Sequence, residues 1–266
     1  MIKAAVLGSP ISHSLSPLIH RKAYEILGIN GDYSAIEVDL LGFPDFFAKA
    51  KNESWNGFSL TMPLKQAPFG LIENIDPFAD QISSVNTLLN EDGKWRALST
   101  DLLAFKRLIE IEKGARVAVI GGGGTARAAI GALSSHDTCV DVMVRSNSGE
   151  PALLKAAGNL ELNLLPISAD LGRYDFVVST VPKGVMDSFA SNILKINGTL
   201  LECLYVPWPT ALAMRWQQLG GKVISGIDLL VEQGLHQINL MTGTEFQFEV
   251  VRKLLLVEAW ESLNSK

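Results

Sequence analysis

A chain of 266 residues has room for one large domain or two modest ones, each with its own core. Apolar residues make up 47% and charged residues 19%, the balance of a well-buried globular protein and not of a disordered or fibrous one. The formal charge of −5 argues against non-specific binding to nucleic acid or an anionic membrane, so an anionic ligand needs a local basic pocket.

In chain order, "KAAVLG" (3–8) reads as a strand, 17–27 as a helix, "YSAIEVD" (33–39) as a strand and 43–51 as a helix. "GFSLTM" (57–62) is a third strand, and "VNTLL" (85–89) faces "KWRAL" (94–98) across the turn "NEDG" as a hairpin. A helix follows Asp101. From 115 the texture changes to short apolar runs bounded by Gly or Pro: "ARVAVIG", "CVDVMV" (139–144), "YDFVVSTV" (174–181), "GTLLECLY" (198–205) and "GKVISG" (221–226). Runs of this kind alternating with helical segments imply βαβ units and a parallel sheet. Two helical patterns, "DLLVEQGLHQINLM" and "EFQFEVVRKLLLVEAWESL", close the chain. Two α/β domains are expected, with terminal helices packing back on one of them.

The opening apolar run breaks at Gly8-Ser9-Pro10, short of a signal-peptide pattern, and no apolar run reaches the ~18 residues that span a bilayer. A cytoplasmic protein is expected. Cys139 and Cys203 lie far apart in apolar runs and read as buried free thiols. No His or Cys cluster has the spacing of a metal site.

"VAVIGGGGTARAA" contains Gly121-x-Gly123-x-x-Ala126 between a strand and a helix. The small residues permit a tight turn, close approach of a pyrophosphate and helix–strand packing, and the helix start offers free N–H groups. A dinucleotide site is therefore expected here. The next strand ends "VMVRSNS", with Arg145 and no acid at its tip, which favours a 2′-phosphate and hence NADP over NAD. Arg127 is a second candidate cation, with a solvated helix face as the alternative. No Tyr-x-x-x-Lys occurs, which sets the chain apart from the short-chain dehydrogenases.

The stretch "SPISHSLSPLIH" places Ser14 and Ser16 just before a helix; Ser16, ahead of Pro17, is the expected N-cap. Two hydroxyls at a positive helix end suit a small carboxylate. "FSLTMPLK" contributes Thr61 and Lys65, "SSVNTL" Asn86, and "STDLLAF" Thr100 and Asp101, all near strand ends where ligands converge in α/β sheets.

Taken in order, "GSPISHSLSPLIH", "LTMPLK", "VNTL", "TDLLAF", "GGGGTARA", "LYVPWPTAL" and "GIDLLVEQG" closely resemble the shikimate dehydrogenase family across residues 8–234. The resemblance implies an N-terminal substrate domain (1–101 plus 237–266) and a C-terminal Rossmann-like NADP-binding domain (102–236), around a cleft that opens and closes. It implies that Ser14 and Ser16 hold a substrate carboxylate, and that Thr61, Lys65, Asn86, Asp101 and Gln233 bind ring hydroxyls. Lys65 and Asp101 form the acid–base pair. Gly121, Gly123, Gly124 and Arg127 meet the cofactor phosphates, Arg145 the adenosine end, and Tyr205 and Gly226 line the cleft from the nucleotide side. The implied reaction is NADPH-dependent, reversible reduction of 3-dehydroshikimate to shikimate by a monomer or homodimer, without a metal. A quinate or dual-specificity dehydrogenase and a non-catalytic NADP sensor are the alternatives. Val144, Ser99, Leu102, Glu202 and Leu229 depart from the family's usual residues.

Overall fold

The computed structural model describes residues 1–265. It divides into two compact units: Met1–Asp80, Ser84–Thr100 and Leu230 onward form the first, Gln81–Ser83 and Asp101–Leu229 the second. The return to the first unit falls at Leu230, inside a helix, and not at 237.

The first unit holds strands β1 (Ile2–Gly8), β2 (Gly31–Glu37), β3 (Gly57–Leu60), β4 (Asn74–Ile75), β5 (Thr87–Glu91) and β6 (Lys94–Leu98), in the order β2-β1-β3-β5-β6-β4. β1 pairs parallel with β2 and β3, whereas β5 runs antiparallel to β3 and β6. Asp92 and Gly93 join β5 to β6 with positive φ angles of 53° and 86°, the backbone a two-residue hairpin turn requires. Helices α1 (Ser16–Leu27), α2 (Phe43–Ala50) and α3 (Pro77–Gln81) follow strands as expected of α/β units. Within this core Trp95 stacks on Phe58 and meets Phe47 of α2 edge-on.

Helix α4 (Thr100–Leu108) leads into the second unit, where β7 (Arg116–Ile120), β8 (Cys139–Val144), β9 (Glu161–Pro166), β10 (Phe176–Ser179), β11 (Thr199–Glu202) and β12 (Val223–Ile224) form a parallel sheet. Its order is β12-β11-β10-β7-β8-β9, the doubly wound arrangement with a switch point between β7 and β10. α5 (Gly124–Leu133), α6 (Glu150–Ala157), α7 (Asp187–Ala190) and α8 (Ala211–Gln218) complete this unit. Both faces of the sheet are covered, which is why β7 is apolar from Val117 to Ile120. Val117 and Val119 join the core shared with α5 and α6, and Ala118 and Ile120 the core that contains Trp216 of α8.

α9 (Gly226–Thr242) and α10 (Phe248–Asn264) end the chain, and α10 packs on α1. The C-terminal helices thus return to the N-terminal unit. Among the described residues no helix is long and apolar enough to cross a membrane.

Candidate functional site

The serine-rich turn differs from expectation in one detail. Ser16 lies inside α1 and Leu15 is the N-cap, with no side-chain cap of its own. Ser14 Oγ instead accepts the Ser16 backbone N–H at 3.3 Å, satisfying one of the helix's orphan donors. Ser16 is buried and Ser14 half-buried, so both hydroxyls sit at the helix start. His13 is exposed, whereas His20 is fully buried and stacks on Tyr33 with ring centroids 3.7 Å apart.

Thr61, Lys65 and Asn86 come together at one end of the first sheet. Thr61 N donates to Leu7 O at the end of β1 (2.9 Å), and Leu60 N to Asn86 O (2.8 Å). A Cβ on Gly8 would overlap Thr61, so only glycine lets these strand ends approach. Lys65 sits in the single 3-10 turn after β3, half-buried, and its carbonyl accepts the Val85 N–H at 2.8 Å. Asn86 is almost fully buried: its Oδ1 accepts the Thr100 N–H at 2.7 Å, and its Nδ2 donates to Gln233 Oε1 at 3.3 Å. Gln233 Nε2 in turn donates to Leu230 O within α9. Behind this pair lie Thr87, Thr100, Ser59 and Gln237, all buried and hydrogen-bonded to one another or to Asn86. The sequence reading did not assign Thr87 or Gln237; their spacing, next to Asn86 and one helical turn after Gln233, was the available signal.

In the second unit Gly121 ends β7 with φ +117°, and a Cβ there would run into Thr180 Oγ1 across the switch point. Gly123 is the N-cap of α5 in extended backbone, and a Cβ on it would meet nothing within 4 Å. The loop is therefore narrow at Gly121 and open at Gly123, a cradle that fits a pyrophosphate against the N-terminus of α5. Arg145 follows β8 directly and is exposed, beside the Ser146–Ser148 hydroxyl pair (3.0 Å). These residues fit an NADP group.

Arg127 is buried and not on a solvated face: its guanidinium donates to the carbonyls of Ile82 (2.8 Å), Ser83 (3.0 Å) and Gly122 (3.3 Å). Burial lowers its pKa, as expected for a cation held by neutral acceptors. It acts as a strut beneath the glycine loop. Asp141, too early in β8 for a ribose, accepts from Tyr174 Oη at 2.6 Å and Arg173 at 2.8 Å.

Asp101 is buried in the first turn of α4, inside the helix. Tyr205 lies in the segment after β11, half-buried. Gly226 opens α9, and a Cβ there would overlap the backbone of Cys203 and Leu204, so glycine is needed for this close approach. Cys203 and Cys139 are not joined in a disulfide and are half-buried, less enclosed than expected. Leu102 and Leu229 are both buried in the apolar core shared with α5.

Glu202, at the end of β11, is buried, and its carboxylate accepts from Thr210 Oγ1 (3.0 Å) and Leu204 N (3.3 Å). Thr210 Oγ1 itself caps α8 by accepting the Ala213 N–H. Desolvation pushes the Glu202 carboxyl up to about 7.

Residues 6–88 match the model of the shikimate dehydrogenase substrate binding domain. The chain is 30% identical to the NADP(+) shikimate dehydrogenase of Bacillus cereus over 268 residues, covering 94% of this chain and 96% of the relative. It is 29% identical to that of Shouchella clausii over 252 residues, covering 90% and 92%. Among solved structures, Mycobacterium tuberculosis shikimate dehydrogenase superposes with a TM-score of 0.87 at 31% identity, covering 97% of this chain and 99% of that one. Thermus thermophilus shikimate 5-dehydrogenase, solved with NADP(H) and shikimate, gives 0.83 at 27%, covering 97% and 100%. With this extent of identity over nearly its whole length, and with the buried amide set and the glycine loop both in place, the chain belongs to the shikimate dehydrogenase family.

Proposed function

We propose that this chain catalyses the reversible, NADP-dependent reduction of 3-dehydroshikimate to shikimate. The observation that carries the reading is the coexistence of two constructions. One is a glycine-loop nucleotide fold; the other is a buried set of amides and hydroxyls around Asn86 and Gln233, next to Lys65 at the end of β3. The first unit is the substrate domain and the second the nucleotide domain.

Bound NADPH supplies the hydride that reduces the ketone carbon. The chain's own groups do the rest. The backbone N–H groups of Gly121, Gly123 and Gly124 meet the pyrophosphate, and Arg145 meets the 2′-phosphate. Tyr205 and Gly226 serve the cofactor from the nucleotide side. Ser14 and Ser16, at the positive end of α1, hold the substrate carboxylate away from the chemistry and so fix the ring. Thr61, Asn86 and Gln233 bind the ring hydroxyls. Lys65 donates a proton to the developing alkoxide and stabilises its charge, and takes the proton back in reverse. Asp101 binds a neighbouring hydroxyl and keeps the ammonium oriented. In this reading the enzyme works in the cytoplasm.

The test is nicotinamide absorbance during oxidation of shikimate and of quinate, each with NADP and with NAD. Turnover fastest with shikimate and NADP is expected. Preference for quinate or NAD, or silence in all four combinations from folded protein, overturns the reading.

A further inference from the structure

The carboxyl edge of the second sheet orders an extended dinucleotide strand by strand. β11, β10, β7 and β8 lie side by side and parallel, with Gly121 directly after β7 and Arg145 directly after β8. With the 2′-phosphate at Arg145 and the pyrophosphate at the glycine loop, the nicotinamide half continues toward the ends of β10 and β11. Residues 203–210, which join β11 to α8, lie at that end and include Tyr205.

One side chain holds this loop at its neck. Glu202 closes β11, almost fully buried, and its carboxyl group reaches both ends of the loop. Oε1 accepts the Leu204 N–H at 3.3 Å, and Oε2 accepts the Thr210 hydroxyl at 3.0 Å. Thr210 Oγ1 itself accepts the Ala213 N–H at 3.1 Å, so its single hydrogen is left for Glu202. A cavity of about 70 Å³ adjoins the carboxyl group, lined also by Met186, Leu204, Pro207 and Pro209. The loop is thus incompletely filled on this side, and its Val206 is exposed. Trp208 packs on the core around Trp216, and Gly226 lies against the backbone of Cys203 and Leu204. Between those two anchors, the bonds to Glu202 set the course of the chain at Tyr205.

We infer that Glu202 is a positioning residue for the nicotinamide half of the cofactor, because it ties Leu204 to Thr210 and so fixes the loop that presents Tyr205. This rests on the proposed function, in which Tyr205 serves the cofactor. Without the carboxyl group, the Leu204 N–H and the Thr210 hydroxyl lose their acceptor beside a space into which the loop can settle. The glycine loop and Arg145 belong to other strands and keep their places. NADP then loses its hold on one half and keeps it on the other.

The test compares NADPH with adenosine 2′,5′-bisphosphate, which carries the adenosine end and lacks the nicotinamide. Both are titrated at about pH 8, above the Glu202 pKa of about 7, so that the carboxyl group is ionised. Glu202→Met removes both acceptors at similar volume; Thr210→Val removes one of the two bonds, and Thr210→Ser restores it. Glu202→Met should raise the Kd for NADPH and the KM for NADP about tenfold, the worth of a hydrogen bond to a charged group. The Kd for the bisphosphate and the Kd for shikimate should stay close to the parent values. Thr210→Val should shift NADPH binding in the same direction, and Thr210→Ser should return it. The double variant Glu202→Met/Thr210→Val should be little worse than Glu202→Met alone, because both act on one set of bonds. A merely structural role would lower the melting temperature and weaken both nucleotides alike. Parent-like NADPH binding in folded Glu202→Met overturns the inference, and so does an equal loss for NADPH and the bisphosphate. Should Glu202→Met fail to fold, Thr210→Val against Thr210→Ser decides alone. If the parent protein neither binds NADPH nor oxidises shikimate, the functional reading falls and the inference with it. An active parent with unchanged variants removes the inference only.

Discussion

Asn86 Oδ1 accepts the backbone N–H of Thr100 at 2.7 Å, which ties the start of β5 to the start of α4. Thr100 is itself fully buried, and the next residue in the chain is Asp101. One side-chain amide thus fixes a substrate-binding candidate and the backbone that leads into Asp101, the proposed partner of Lys65. Removing it would leave a buried N–H without an acceptor, a cost of about 1–3 kcal/mol.

Lys65→Ala is expected to lower kcat about 10²- to 10⁴-fold, the usual share of a positioned general acid, while shikimate binding is largely kept. Steady-state kinetics paired with calorimetry separates the two effects. Near-normal turnover in the variant would remove Lys65 from the proton-transfer step.

Arg145→Ala should raise the KM for NADP about tenfold or more, the worth of a hydrogen bond to a charged group, and leave that for NAD unchanged. The side chain is exposed and follows β8 directly, so the substitution leaves the core untouched. Equal effects on both cofactors would show that it does not meet the 2′-phosphate.

Glu202 should make stability depend on pH in the direction opposite to most carboxylates. Burial raises its pKa from 4.5 to about 7, so between these values the folded protein holds a proton that the unfolded chain releases. The contribution is complete below about pH 4.5 and is lost as pH rises through 7, on the order of 3 kcal/mol in all. Glu202→Gln keeps an acceptor for Thr210 and should flatten the urea-denaturation stability between pH 5 and 8. A parallel profile in parent and variant would show that Glu202 ionises normally.

His20 acts at the acid end. Burial pushes its pKa from 6.5 down to about 3, so the unfolded chain binds a proton that the folded one refuses. Its stabilising contribution is present above pH 6.5 and lost as pH falls toward 3. Its Nδ1 is buried without a hydrogen-bond partner, which leaves nothing to welcome a second proton. His20→Phe keeps a ring on Tyr33 and should lessen the acid loss of stability, measured by chemical denaturation at pH 4 and 7. An unaltered acid limb would place the sensitivity elsewhere.

Much of this was open to reading along the chain. Periodicity marked β1, α1, the β5–β6 hairpin, β7 and α9, because each carries a strong local signal: an unbroken apolar run, a turn that demands positive φ, or a 3.6-residue stripe. β9, α6 and α8 went unassigned. "ELNLLP" is a half-exposed edge strand with mixed polarity, and α8 declares itself through the Thr210 cap and the burial of Trp216. The glycine loop and the strand-end polar groups were legible as motifs, since a pyrophosphate or a ring hydroxyl constrains residue type at fixed spacing. The sequence alone therefore determined the α/β class, the family and the candidate residues. Only the tertiary structure decided what each buried polar group faces. It set the Arg127 guanidinium against three carbonyls, moved the capping acceptor of α1 from Ser16 to Ser14, and placed Gln237 behind Asn86. Those outcomes depend on partners 2 to 151 residues away in the chain, where a buried donor or acceptor takes whatever the fold brings to it.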